Sequence, residues 1–182
     1  KMYKERNIVP EKNIAGLMLS AIISDTLLFK SPTTTKEDIS AANELANISG
    51  ADINEYGLKL LYAGADIENK DIDDLVENDI KEFIFDDKKI MVSQFITTSI
   101  EPFMEISSKI ELFLEKYCEQ NNIYAILFAV TDIIKEGSYV FAGGRGKQEL
   151  YEIFNCKDIK NRFIKGMLSR KKQIVPEITK FF

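Results

Sequence analysis

The chain has 182 residues, 45% of them hydrophobic and 29% charged, with a net charge of −5 at neutral pH and no histidine. That is enough apolar material for a globular core, and the negative balance argues against nucleic acid as a partner. Imidazole is the usual residue for acid–base work near neutral pH and for transition-metal sites, so its absence argues against a self-contained catalytic triad or zinc site.

Taken in chain order, Lys1-Met2-Tyr3-Lys4-Glu5-Arg6 reads as the last turns of a helix with no capping residue before it. The chain is therefore expected to begin inside an element, as an excised piece would. Pro10 and Glu11 open a second helix, on which Ile14, Leu17, Met18, Ala21 and Ile22 recur at helical spacing and Leu19 and Ile23 widen the stripe. It stops at Ser24-Asp25-Thr26, and Ser31-Pro32 turns the chain after a short Leu27-Leu28-Phe29 run. The apolar stretch from Ile14 to Phe29 is broken by Ser20, Ser24 and Asp25, too short and polar for a membrane span, which takes about 20 apolar residues. Thr35 with Asp38 three residues on predicts a capping box, and Ser49-Gly50 ends the helix it opens. A further helix is expected from Asn54 to Ala63, and a domain boundary in the polar stretch from Gly64 to Asp71.

Beyond that boundary the periodicity changes. Glu82 to Phe85 and Ile90 to Thr97 read as strands of a hairpin turning at Asp86-Asp87-Lys88. Phe103, Ile106, Ile110, Phe113, Leu114 and Tyr117 mark one face of a long amphipathic helix. The continuous apolar run from Ile123 to Thr131 predicts a central strand buried on both faces. Tyr139 to Ala142 gives another strand, Lys147 to Phe154 a helix, and Gly166 to Ser169 a last strand before the hydrophobic tail Ile174 to Phe182. The fold class expected is α/β: a helical segment followed by a compact α/β domain with a mixed sheet. Cys118 and Cys156 lie on apolar-patterned segments with no CxxC pair, which reads as reduced core thiols and a cytoplasmic protein.

Three places could carry chemistry. Asp25 is one carboxylate at the end of an apolar helix, expensive to bury unless paired or metal-bound, and on periodicity alone it reads as a cap for the turn that follows. Ser169-Arg170-Lys171-Lys172-Gln173 offers a planar guanidinium and compact ammonium charges, suited to a dense polyanion, or else is a solvated basic turn. The turn Gly143-Gly144-Arg145-Gly146-Lys147 could hold an anion on backbone amides, although a lone Gly-rich turn is first of all a turn. The acidic residues Asp71, Asp73, Asp74, Glu77 and Asp79 lack EF-hand spacing and read as a solvated helix face.

Taken together, three segments are more specific. The stretch from Ile14 to Thr33, with Ser24-Asp25-Thr26 and Ser31-Pro32-Thr33, resembles the end of the DHH domain of family II, manganese-dependent inorganic pyrophosphatases. Tyr56-Gly57 through Leu60-Leu61 to Ala63-Gly64-Ala65-Asp66 resembles the approach to their interdomain linker, and Ser169-Arg170-Lys171-Lys172-Gln173 their C-terminal phosphate-binding motif. The resemblance implies a DHH remnant over residues 1–64, a linker over 65–70 and a substrate-binding DHHA2 domain over 71–182. It makes Asp25 a metal ligand, Lys81 a substrate-binding lysine, and Arg170 and Lys171 the pair on the terminal phosphate, supported by Lys172 and Gln173. It further implies Mn2+, with Mg2+ or Co2+ possible, and hydrolysis of pyrophosphate to two phosphates by the intact protein.

The family's histidine-and-aspartate motif and its DHH tripeptide have no counterpart here, so this chain alone is expected to bind phosphate or pyrophosphate without turning it over. Thr34 stands at a position that is commonly cysteine, and residues 94–101 depart from the family's usual Gln-Val-Asn-Thr-Val-Asp run. The alternatives are another DHH-superfamily phosphoesterase, exopolyphosphatase-like, or a non-catalytic anion-binding module. The helices of the remnant carry apolar residues, among them Leu17, Met18, Ile22, Leu45, Leu58 and Leu61, and are expected to pair with a second copy as a homodimer.

Overall fold

The computed structural model describes residues 2–65, 67, 70–156 and 161–182, and the chain divides into two units, Lys1–Gly64 and Ala65–Phe182. Part of the expected linker, Asp66, Glu68 and Asn69, lies outside the described residues.

The first unit is helical: α1 (Met2–Glu5), α2 (Lys12–Thr26), α3 (Lys36–Ser49) and α4 (Ile53–Gly64). The capping box forms as predicted. Thr35 Oγ1 accepts from the Asp38 N–H at 3.2 Å, Asp38 Oδ2 accepts from the Thr35 N–H at 2.8 Å, and α3 ends on Gly50 at φ 74°. The buried face of α2 differs from the predicted stripe. Ala15, Leu19 and Ile23 are fully buried against Ala42, Leu45 and Ala46 of α3, while Leu17 is 68% exposed. This helix is apolar nearly all round, so spacing does not choose the face; the small side chains of α3 do, because they let the two helices approach closely.

In the second unit, α5 (Ile72–Glu77) leads into β1 (Ile80–Phe85) and β2 (Lys88–Thr97). These pair antiparallel around a tight turn in which Asp86 takes φ 53°. Next come α6 (Glu101–Glu105), α7 (Ser107–Gln120), β3 (Ala125–Asp132), β4 (Gly137–Gly143), α8 (Lys147–Ile153), β5 (Phe163–Lys165) and α9 (Val175–Phe181). The strands form one mixed sheet in sequence order, with β2 and β3 parallel and the other neighbours antiparallel. The α6–α7 segment is the crossover that a parallel pair requires. It is two helices rather than the single long one expected, interrupted where Ile106 leaves helical backbone at φ −104°, ψ 14°.

Every residue of β3 is buried. Ile126, Phe128 and Val130 face a core made with Leu75, Phe103, Ile110 and Leu114; Ala125, Leu127 and Ala129 face a second core with Leu150, Tyr151, Ile174 and Ile178. The sheet is therefore sandwiched between helical layers, which is why its central strand carries no polar alternation. The last strand lies at Phe163–Lys165, before the expected Gly166 to Ser169, because Gly166 turns the chain at φ 81°. The apolar tail is helix α9, with Pro176 in its first turn. Among the described residues no helix is long and apolar enough to cross a membrane. Cys118 and Cys156 are free and buried, and burial pushes their thiols up to about 12 and about 11, so both stay protonated at neutral pH.

Candidate functional site

The basic motif is shaped by a π-helical turn over Arg170–Ile174, in which the Ile174 N–H reaches back five residues to the Ser169 carbonyl at 3.2 Å. Ser169 caps it, its hydroxyl accepting from the Lys172 N–H at 3.3 Å. Gln173 splints the turn from within: its Oε1 accepts from the N–H groups of Leu168 (2.8 Å) and Ser169 (3.0 Å), and its Nε2 donates to the Gly166 carbonyl at 2.7 Å. Gln173 is thus spent on the backbone of the motif, and Lys171 and Lys172 are left exposed.

Arg170 does not point freely into solvent. Its main-chain N–H donates to Gln94 Oε1 at 3.2 Å, its Nη1 to the Asp79 carbonyl at 2.5 Å and its Nη2 to Asp79 Oδ1 at 3.0 Å; the side chain is 16% exposed. Lys81, the second residue of β1, brings its Nζ to 4.0 Å from the same Asp79 oxygen. Two of the three cations expected to hold substrate therefore converge on one carboxylate, although they come from segments far apart in sequence.

The floor under them is a polar chain across the sheet. Gln94 on β2 donates through Nε2 to Thr131 Oγ1 on β3 (2.8 Å) and to the Leu168 carbonyl (3.1 Å). Thr131 Oγ1 lies 2.8 Å from Ser138 Oγ on β4, whose hydroxyl donates to the Met167 carbonyl at 2.6 Å. Thr131 and Ser138 are wholly buried in this chain of bonds, so the linked groups lock the approach to the motif, as satisfied buried networks do. The site thus lies over the carboxyl halves of the parallel strands β2 and β3, where Gln94 and Thr131 stand within the strands themselves.

Sequence reasoning missed Gln94 and Asp79 as parts of this site. Asp79 was grouped with the acidic helix face, but α5 ends at Glu77 and Asp79 lies beyond it, against Arg170. The Gly-rich turn is filled by the protein itself: the Gly144 N–H donates to Glu115 Oε2 at 2.7 Å, and Lys147 Nζ lies 3.1 Å from Glu115 Oε1. Its glycines serve packing. A Cβ on Gly143 would come within 2.6 Å of the Leu114 main chain.

In the first unit, Asp25 is exposed in the last turn of α2. The turn that follows is capped by its neighbour instead, since Thr26 Oγ1 accepts from the Phe29 N–H at 3.3 Å. Leu27, Leu28 and Phe29 then take φ of 51°, 55° and 67° in succession, left-handed backbone that costs roughly 1–2 kcal/mol per residue for side chains other than glycine. Packing holds it: Leu28 sits against Gly57 of α4, where a Cβ would come 2.4 Å from Leu28 Cδ1, and Tyr56 Oη meets Ser20 Oγ at 2.6 Å. The Tyr56-Gly57 pair and the Ser20 to Phe29 stretch therefore form one interlocked feature beside Asp25. Among the described residues no group of three or more His, Cys, Asp or Glu side chains is placed to hold a metal ion.

Residues 58–181 match the family model of the DHHA2 domain. The chain is 45% identical over 180 residues to the manganese-dependent inorganic pyrophosphatase of Bacillus subtilis, and 46% identical over 180 residues to a protein of Bacillus velezensis described as a probable manganese-dependent inorganic pyrophosphatase. Each alignment takes in 98% of this chain and 58% of the relative, so the chain spans somewhat more than half the length of these proteins. Among solved structures, that of the Methanococcus jannaschii protein assigned to the family II inorganic pyrophosphatases matches with a TM-score of 0.83 at 35% identity, over 94% of this chain and 56% of that one.

Proposed function

The chain belongs to the DHHA2 domain family, and from that membership we propose that it is the substrate-clamping part of a manganese-dependent inorganic pyrophosphatase, an enzyme that hydrolyses pyrophosphate to two phosphates. On this reading residues 71–182 are the substrate-binding domain, residues 65–70 the linker and residues 1–64 the end of the metal-binding domain. Lys81, Arg170 and Lys171 hold the phosphates. The observation that carries the reading is the convergence of Lys81 and Arg170 on one anionic oxygen, that of Asp79. A guanidinium fork anchored at its backbone and a mobile ammonium beside it are the complementary donors that a phosphate group takes.

Manganese is a different matter. Asp25 offers one exposed carboxylate, and a two-metal centre needs chelating and bridging ligands in addition. The residues of this chain do not fit that centre by themselves. What they account for is capture of the anion and compensation of its charge, which lowers the cost of the negative charge that builds up on a departing phosphate. The purified chain is accordingly expected to bind pyrophosphate weakly and in a salt-sensitive way, with negligible turnover in the presence of manganese. Calorimetry decides it: the Arg170→Ala/Lys171→Ala double variant should lose that binding, and equal binding by the variant would put the anion elsewhere.

The first unit keeps Leu17 (68%), Val9 (76%) and Tyr62 (56%) exposed, while Leu45 and Leu61, which were expected on an open face, are buried. The exposed set is the surface we assign to self-association, checked by loss of dimer in sedimentation equilibrium when Leu17 is replaced by Glu.

A further inference from the structure

The phosphate grip contains its own anion. Asp79 follows α5 and precedes β1, and its peptide carbonyl is held from two sides, by the Gln94 N–H at 3.3 Å and by Arg170 Nη1 at 2.5 Å. With its backbone pinned, the short side chain places Oδ1 between Arg170 Nη2 at 3.0 Å and Lys81 Nζ at 4.0 Å. The two contacts are unequal. Arg170 is mostly buried, with its main-chain N–H on Gln94 and its guanidinium held at two points by Asp79. Lys81 is 60% exposed and lies beyond hydrogen-bond reach of the carboxylate, free to turn to another acceptor. A guanidinium carries five N–H donors and Asp79 occupies two of them, which leaves the remainder of the fork for a second acceptor. Partly exposed ion pairs contribute little to stability, so holding the fold together does not account for two cations turned onto one oxygen.

We propose that Asp79 is a built-in counter-ion of the phosphate grip: it keeps Arg170 and Lys81 converged in the unliganded protein, and an incoming phosphate must outcompete it. The inference rests on the assignment of Lys81, Arg170 and Lys171 to substrate. Of the three positive charges at the site, Asp79 cancels one, and the same carboxylate repels the bound anion at close range. Its net effect is to weaken capture and ease release. Asp79 is a positioning residue acting through Arg170 and Lys81.

The test is calorimetric titration of the full chain with pyrophosphate at low ionic strength. Asp79→Asn, which keeps a hydrogen-bonding side chain and removes the charge, should tighten binding by about threefold to tenfold, the size of one surface charge at close range. Asp79→Ser, also neutral, should move in the same direction, and Asp79→Glu should stay near the parent. The gain from Asp79→Asn should shrink in an Arg170→Ala background, because the two act as a pair. Unchanged or weakened binding by both neutral variants, or a gain undiminished without Arg170, overturns the inference. If Arg170→Ala weakens binding while the neutral Asp79 variants do not tighten it, the counter-ion role falls and the site stands. If Arg170→Ala leaves binding intact, the site assignment falls and the counter-ion role with it.

Discussion

The two units of this chain bury different things. In the first, half of the buried residues between α2 and α3 are alanine, with Ala15, Ala42 and Ala46 beside Leu19, Ile23 and Leu45, while a residue as large as Leu17 stays outside. In the second, Phe103, Phe128 and Phe141 are buried almost completely and the sheet is covered on both faces. The first unit therefore relies on close approach between helices, with larger apolar residues such as Met18, Ile22 and Phe29 only partly buried around it, whereas the second buries whole aromatic rings on a covered sheet. Polar groups follow the same division. The second unit holds a chain of half-buried Gln94 and fully buried Thr131 and Ser138 under its site, because the surrounding cores keep these groups in bonding geometry.

The largest expected effect is at the centre of the second unit. Phe128→Ala should cost about 3–5 kcal/mol, the usual range for emptying an aromatic site in a core, read by chemical denaturation. Leu19→Ala should lower only the transition of the first unit. One shared transition, moved equally by both variants, would break the comparison. A smaller effect distinguishes two glycines. Gly143→Ala drives a methyl into the main chain at Leu114 and should cost about 1–3 kcal/mol, whereas at Gly57 the obstacle is the end of the Leu28 side chain, which can rotate, so Gly57→Ala should cost about 1 kcal/mol or less. Equal losses measured by thermal unfolding would show that the close approach of α4 to Leu28 is as rigid as a backbone contact.

Local chemistry was legible in the sequence. The Thr35 and Asp38 box depends on residues three apart, and the run from Ile123 to Thr131 announces a strand covered on both sides. What eluded it was set by partners distant in the chain. The face of α2 is chosen by α3. The last strand was displaced because Met167 and Leu168 are apolar and buried, yet their carbonyls serve Ser138 and Gln94 and join no strand ladder. At the site, the resemblance supplied Lys81, Arg170 and Lys171, but Asp79 meets Arg170 across 91 residues of chain, and no spacing rule reaches that far. Gln94 was hidden in the same way: its amide faces Arg170, and nothing adjacent to it in sequence indicates that.

The smallest effect is at the surface of the second unit. Hydrogen bonds from the Lys135 ammonium and then the Ser99 hydroxyl hold the Glu101 carboxyl down to about 2, below its ordinary value of 4.5. A carboxyl lowered by folding stabilises the native state above its unfolded value and loses that contribution as pH falls from about 4.5 towards 2. The pair is open to solvent, with Glu101 60% exposed, so the amount is about 1 kcal/mol or less. Glu101→Gln should flatten the acid limb of the stability profile by that little; a loss several times larger would mark the pair as structural.

The most direct measurement is the NMR spectrum of the isotopically labelled chain titrated with pyrophosphate. The account expects the amide resonances of Asp79, Lys81, Gln94, Arg170 and Lys171 to move together with one affinity, while those of the Gly144 to Lys147 turn stay in place. Shifts that gather at that turn, with Arg170 and Lys81 unmoved, would contradict it.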